Sequence, residues 1–153
     1  DDEQLKIIKD ASKQIPLVLA PNTSLGIATL KNMMLSVLDH GFISSSTKIE
    51  IIEKHHKAKK DSPSGTSKDI ASFLKNELSI DSKIPIESIR EEETAGEHII
   101  SFTNKYETLK ISHKALDRSI YAKGALLAAI WLNSMKDIPG LYLMSDVFLP
   151  YHD

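Results

Sequence analysis

Apolar residues recur along this chain at two different spacings, and each spacing predicts a different element. Leu5, Ile8, Ala11 and Ile15 follow one another at helical intervals behind the acidic Asp1, Asp2 and Glu3, so an opening helix is expected. Ile15 to Ala20 is a short apolar run that reads as a buried strand. Pro21, Asn22, Thr23 and Ser24 supply turn and cap chemistry. They lead into an apolar helix from about Leu25 to Leu38, closed by Gly41. Helix, strand, loop and helix in that order look like the last piece of a parallel α/β unit.

The pattern then turns to strand. Thr47 to Glu53 is β-rich and ends in a charged stretch that runs to Asp61. Residues 62–66 introduce a helix carrying Ile70, Phe73, Leu74 and Leu78 on one face. Pro85 and its isoleucine neighbours suggest an edge strand, because proline cannot donate to a central ladder. Glu97 to Thr103 and Tyr106 to Ser112 are extended runs on either side of Asn104 and Lys105, the pattern of a hairpin. Arg118 to Asn133 is an apolar helix holding Tyr121 and Trp131. The tail from Gly140, with Leu141, Leu143, Val147 and Phe148, is expected to pack back on the fold. The fold class is α/β, with a mixed β-sheet and flanking helices in its second part.

Composition narrows the functions this pattern serves. At 153 residues, with 41% apolar and 26% charged residues, the chain fits one globular domain with its own core. A net charge near −2 with interspersed signs implies no basic surface, so nucleic acid is not expected as a partner. No apolar run is long enough for a membrane span, and no signal segment is read at the start. The absence of cysteine removes disulfides, thiolate metal sites and cysteine nucleophiles, and fits a cytoplasmic protein. No G-x-G-x-x-G occurs, so the main phosphate-cradling loop of a dinucleotide site is not in this chain.

The candidate chemistry sits in residues 53–66, E-K-H-H-K-A-K-K-D-S-P-S-G-T. Adjacent histidines on a strand point to opposite sides, so His55 and His56 are not expected to share a metal. One can face a pocket as a proton donor while the other fixes position; imidazole suits this with an unperturbed pKa of ~6.5. Lys59 supplies a point charge for an anionic ligand. Ser64, Gly65 and Thr66 open a helix, whose free N–H groups and dipole favour a carboxylate or phosphate. Gly65 allows close approach, Pro63 stiffens the loop, and Asp61 can tie the loop to its neighbours. The bland alternative stays open: Ser-Pro-Ser-Gly-Thr as a plain helix cap, beside a solvated His-Lys cluster.

This span resembles the E-x-H-H-x-x-K-x-D-x-P-S-G-T signature of the dihydrodipicolinate reductase family, with every defining position met. Residues 20–26, A-P-N-T-S-L-G, are similar to that family's loop after the last strand of the nucleotide domain. Gly96-Glu97-His98 resembles its G-x-H strand, 111–115 its I-x-H-x-A, and Arg118 with Tyr121 and Gly124 the start of its last long helix. The resemblance implies hydride transfer from NADPH or NADH to 4-hydroxy-tetrahydrodipicolinate, a small cyclic dicarboxylate, in lysine and diaminopimelate biosynthesis. By resemblance His55 is the general acid and Lys59 assists it and binds a carboxylate, with His56, Gly65 and Thr66 also binding carboxylates. Ala20, Pro21, Asn22 and Thr23 would touch the nicotinamide end of the cofactor, and Arg118 and Tyr121 would approach it from the other side. A homotetramer built through the sheets is implied as well. The implied organisation is residues 1–23 as the end of a Rossmann-like nucleotide-binding domain, 24–133 as the substrate-binding and oligomerisation domain, and 134–153 as a segment returning to the first.

Two departures are visible. Arg90-Glu91-Glu92 stands where the family commonly has R-x-G, which affects a local turn and not the chemistry. Most of a nucleotide-binding domain is also missing from the sequence, so the chain alone is expected not to transfer hydride at a useful rate. It would then act on its own as a dicarboxylate-binding and assembly module. A metal-dependent hydrolase using His55, His98 and His113 would need three ligands converging on one ion; the spacing shows no such convergence, and no metal is expected. His98 and His113 are read as structural, and His40 and His152 as incidental. Trp131, Met33, Met34 and Met135 are expected in the core or at an interface.

Overall fold

The structure, a computed structural model, describes residues 2–91 and 94–147. It divides into two compact units: Gly26–Arg118, and the flanking segments up to Leu25 and from Ser119 onward.

The elements, in chain order, are α1 (Asp2–Ala11), β1 (Pro16–Val18), α2 (Leu25–Asp39), β2 (Lys48–His56) and α3 (Gly65–Leu78). They continue with β3 (Ile86–Glu91), β4 (Gly96–Thr103), β5 (Thr108–Ala115), α4 (Ser119–Ser134) and β6 (Gly140–Tyr142). A 3-10 turn follows at Met144–Asp146.

In the Gly26–Arg118 unit, four strands form one mixed sheet in the order β3-β2-β4-β5. β2 and β3 are parallel, which requires a crossover, and α3 supplies it. β2–β4 and β4–β5 are antiparallel. Alternation along β2 turns Ile51, Glu53 and His55 inward, where all three are buried. α2 and α3 bring Leu30, Met34, Ile70 and Leu74 against Ile51, Ile100, Phe102 and Ile111 to make the core. Each such side chain contributes about 1.5–3 kcal/mol on burial, so the sheet that carries the histidines is firmly held. Of the methionines read as core or interface, Met34 is fully buried and Met33 is half exposed.

Local chemistry explains where these elements stop. Gly41, at φ 70°, follows α2 in the left-handed region that glycine tolerates best. Ser64 caps α3, its side chain accepting from the Ser67 N–H at 3.1 Å. The hairpin loop is longer than the two residues expected, because Asn104 Oδ1 accepts from the N–H groups of both Tyr106 (2.8 Å) and Glu107 (3.0 Å) and holds them out of the ladder.

The second unit is built on the pairing of β1 with β6, in parallel, Leu17 opposite Leu141. The expected opening helix stops at Ala11, and Ile15 is exposed. α4 belongs to this unit and not with the rest of residues 24–133. Two contacts account for that grouping. Trp131 meets Tyr142 edge to face, with ring centroids 5.0 Å apart. Gly124 lies so close to the Thr23 carbonyl that a Cβ would come within 1.8 Å of its oxygen. Glu92, Phe148 and His152 lie outside the described residues.

Candidate active site

The covered face of the four-stranded sheet changes character row by row. Ile86, Ile51, Ile100 and Ile111 stand side by side across β3, β2, β4 and β5. Two residues further along, the corresponding row is Ser88, Glu53, His98 and His113. Beyond it Arg90 pairs with His55. An apolar floor therefore gives way to a polar row at the carboxyl end of β2, beside the amino end of α3. That end of a parallel β–α–β unit is where such sheets bind ligands.

Glu53 is the hub of this corner and is completely buried. The Ser64 N–H donates to both of its oxygens at 3.1 Å. The Ser67 hydroxyl donates at 2.7 Å, the Ser88 hydroxyl at 2.8 Å and the Arg90 guanidinium at 3.1 Å. Burial alone would raise its pKa, but the hydrogen bonds from Ser64, Ser67 and Ser88 outweigh it and hold the carboxyl at about 2. Glu53 is thus an anion inside the domain, satisfied by donors from α3 and β3.

His55 packs on this anion. Its Nδ1 lies 3.7 Å from Glu53 Oε2 and is buried with no hydrogen-bond partner among the described residues. The rings of His55 and His98 meet edge to face at 5.2 Å. Burial lowers the pKa of His55, Glu53 opposes that, and Lys59 and Arg90 add to the lowering. His98 is 1% exposed, and neither ring nitrogen has a partner among the described residues; burial first, then the charge of His55, push it down to about 4. Ligand-capable atoms of Glu53, His55 and His98 lie within 4.8 Å of one another, a convergence that linear spacing does not show. Both oxygens of Glu53 already accept hydrogen bonds and Arg90 stands beside it, so the group works as a hydrogen-bond hub rather than an open cation seat.

The neighbouring residues face outward. His56 takes the opposite side of β2, where Arg118 Nη2 bonds its Nε2. Both line an open cleft of about 320 Å³ with Thr94, Ala95, Leu116 and Asp117. Lys59 Nζ pairs with Asp61 Oδ1 at 2.8 Å, and the Asp61 carbonyl accepts from Arg90 at 2.7 Å. The Lys59 hydrogen bond, with lesser help from the Gly65 N–H, holds the Asp61 carboxyl below its usual range. Gly65 and Thr66 form the first turn of α3, and a Cβ on Gly65 would meet nothing within 4 Å.

Of the residues singled out from sequence, His55, His56, Lys59, Gly65, Thr66 and Arg118 all lie in the Gly26–Arg118 unit, with His56 and Arg118 meeting on the face of β2 opposite His55. Ala20 to Thr23 and Tyr121 lie in the other unit, where the Thr23 hydroxyl donates to the Tyr121 carbonyl at 2.8 Å. Arg118 and Tyr121, which the resemblance puts on one side, therefore fall in different units. Sequence alone assigns Glu53 no role, although its two-residue offset from His55 on a strand places both on one face. Ser88 and Arg90 carry no such signal, since parallel register across a crossover is invisible in the chain.

The family described as "Dihydrodipicolinate reductase, C-terminus" matches residues 27–148. The 4-hydroxy-tetrahydrodipicolinate reductase of Buchnera aphidicola subsp. Cinara cedri (strain Cc) is 39% identical, over 95% of this chain and 58% of that protein. The protein of the same name in Clostridium botulinum (strain Eklund 17B / Type B) is 36% identical, over 95% of this chain and 63% of its own length. Among solved structures, dipicolinate-bound dihydrodipicolinate reductase from Paenisporosarcina sp. TG-14 superposes with a TM-score of 0.72 at 21% identity. It covers 97% of this chain and 61% of that one, a likeness of fold. The chain thus spans from 58% to 63% of the length of these two curated relatives.

Proposed function

The chain belongs to the dihydrodipicolinate reductase C-terminal family, and on that premise we propose that it forms the substrate side of a 4-hydroxy-tetrahydrodipicolinate reductase. The observation that carries this reading is the joining, through Glu53, of an inward histidine on β2 to the amino end of α3. A proton donor and an anion seat are thereby built on one buried carboxylate.

The substrate is a cyclic dicarboxylate. One carboxylate sits at the first turn of α3, where Gly65 leaves open space and the helix start favours negative charge. Lys59 adds a point charge, and His56 and Thr66 complete the carboxylate contacts. His55 delivers a proton to the ring carbon next to the one that accepts hydride, and water leaves from the substrate. Burial lowers the pKa of His55 and the Glu53 charge opposes that lowering, so Glu53 favours the protonated form that the transfer uses.

A reduced nicotinamide nucleotide, NADPH or NADH, supplies the hydride when bound. Ala20, Pro21, Asn22 and Thr23 fit its nicotinamide end: they form a loop at the carboxyl end of β1, a strand in a parallel pair. Asn22 Oδ1 takes the Ser24 N–H at 2.8 Å and so braces that loop at the start of α2. Arg118 and Tyr121 are assigned to the cofactor by resemblance. The same resemblance supports a cytoplasmic homotetramer joined through the four-stranded sheet, since both helices of that unit pack on one face and leave the other uncovered within it. Among the described residues no helix is long and apolar enough to cross a membrane.

The test is loss of nicotinamide absorbance when the natural gene product carrying this chain meets freshly generated 4-hydroxy-tetrahydrodipicolinate. Turnover that His55→Gln reduces at least about a hundredfold supports the reading. Equal rates in wild type and His55→Gln contradict it.

A further inference from the structure

The polar row on β2 also fixes which nitrogen of His55 can act. His55 Nδ1 faces Glu53 Oε2 at 3.7 Å inside the domain, in a place sealed from solvent. A carboxylate whose donors already come from Ser64, Ser67, Ser88 and Arg90 is an acceptor only. An imidazole lone pair aimed at that anion would be repelled, whereas an N–H aimed at it is attracted. We propose that Glu53 is a positioning residue for His55, holding a proton on Nδ1 so that Nε2 is the nitrogen left to carry the exchangeable one.

Every element around His55 bears on this balance. Glu53, on its own strand, is the anion buried against it. Asp61 in the following loop is half exposed and engaged with Lys59. Lys59 and Arg90 are positive, and neither offers an acceptor for Nδ1–H. His98 on β4 packs edge-on and is itself held neutral by burial, so it adds no competing charge near pH 7. Glu53 is therefore the one buried anion against His55, and its charge outweighs the neutral acceptor nitrogen that His98 offers. Glu53 is also bonded to the backbone N–H of Ser64, which caps the helix receiving the ligand. The acid and the anion seat are indexed to the same two oxygens.

This inference deepens the assignment of His55 as proton donor and rests on that reading for its consequence, but its test needs no substrate. Long-range ¹H–¹⁵N correlation spectra of the natural protein, with His55 assigned by its loss in His55→Gln, report the tautomer and titration directly. Nδ1–H is expected as the dominant neutral form in wild type. In Glu53→Gln that preference is lost and His55 titrates at lower pH, because the favourable charge is gone and Arg90 stands uncompensated. Ser88→Ala, which removes a donor and keeps the anion, retains the Nδ1–H form. A dominant Nε2–H form in wild type overturns the proposal even if Glu53→Gln does not fold, and so does a folded Glu53→Gln with unchanged His55 signals. Loss of turnover without change in tautomer would count against the positioning role, leaving the reductase reading intact.

Discussion

Glu53 and Ser64 stand eleven residues apart in sequence, yet the Ser64 N–H is shared between both carboxylate oxygens of Glu53 at 3.1 Å. This contact closes the loop between β2 and α3 on a buried anion. It fixes where the first turn of α3 begins relative to His55, the two places proposed to seat an anion and to supply a proton. The consequences divide into stability, packing and binding.

Acidification should destabilise the fold in two steps. His98 has a folded pKa near 4, below its unfolded value near 6.5. Above pH 6.5 it is neutral in both states and costs nothing; as pH falls toward 4 the unfolded chain takes up the proton and the folded one does not. That withdraws about 3 kcal/mol. Glu53 follows: its carboxyl, at about 2 when folded against an ordinary value of 4.5, stabilises the fold above pH 4.5 and loses that contribution as pH falls toward 2. Urea unfolding at pH 7 and pH 4.5 checks the first step. His98→Gln should flatten the loss between those two values.

Gly124→Ala should disrupt the packing of α4 on the loop at Thr23. The added Cβ would lie 1.8 Å from a backbone oxygen, and backbone cannot step aside as a side chain end does. A loss of about 1–3 kcal/mol is expected in chemical denaturation.

Gly65→Ala separates binding from folding. Nothing lies within 4 Å of the new methyl group, and alanine suits a helix better than glycine, so stability should hold or rise by up to about 1 kcal/mol. Affinity for pyridine-2,6-dicarboxylate should drop at least about tenfold, equivalent to ~1.4 kcal/mol, because the methyl fills the approach to the helix start.

Asp61→Asn should tighten dicarboxylate binding several-fold. Asp61 occupies Lys59 at 2.8 Å and also draws on the Gly65 N–H, the two anchors assigned to a ligand carboxylate. Neutralising this internal competitor frees both, and titration calorimetry on the variant reads the change.

The sequence is most legible where periodicity and chemistry agree. Ile70 and Leu74 follow helical spacing and are both fully buried, and the Ser64 cap and the opposite facing of His55 and His56 fall where turn chemistry and alternation put them, although the strand runs to His56, three residues past the expected Glu53. Less is visible where partners come from other elements. The convergence of Glu53, His55 and His98 depends on the β2–β4 register, which no local pattern encodes. His98 reads as structural because an isolated strand histidine usually is, and it is buried; its register opposite Glu53, which sets it beside that anion, is not visible in the chain. Linear order groups α4 with the preceding residues, whereas the Gly124–Thr23 approach places it with β1 and β6.

The central claim, that the end of β2 and the start of α3 form a dicarboxylate site, is tested most directly by calorimetric titration of the natural protein with pyridine-2,6-dicarboxylate, alongside Lys59→Ala and His56→Ala. Saturable binding in wild type that each variant weakens at least about tenfold is the expected result. Binding of equal strength in all three proteins would place the ligand elsewhere and contradict the account.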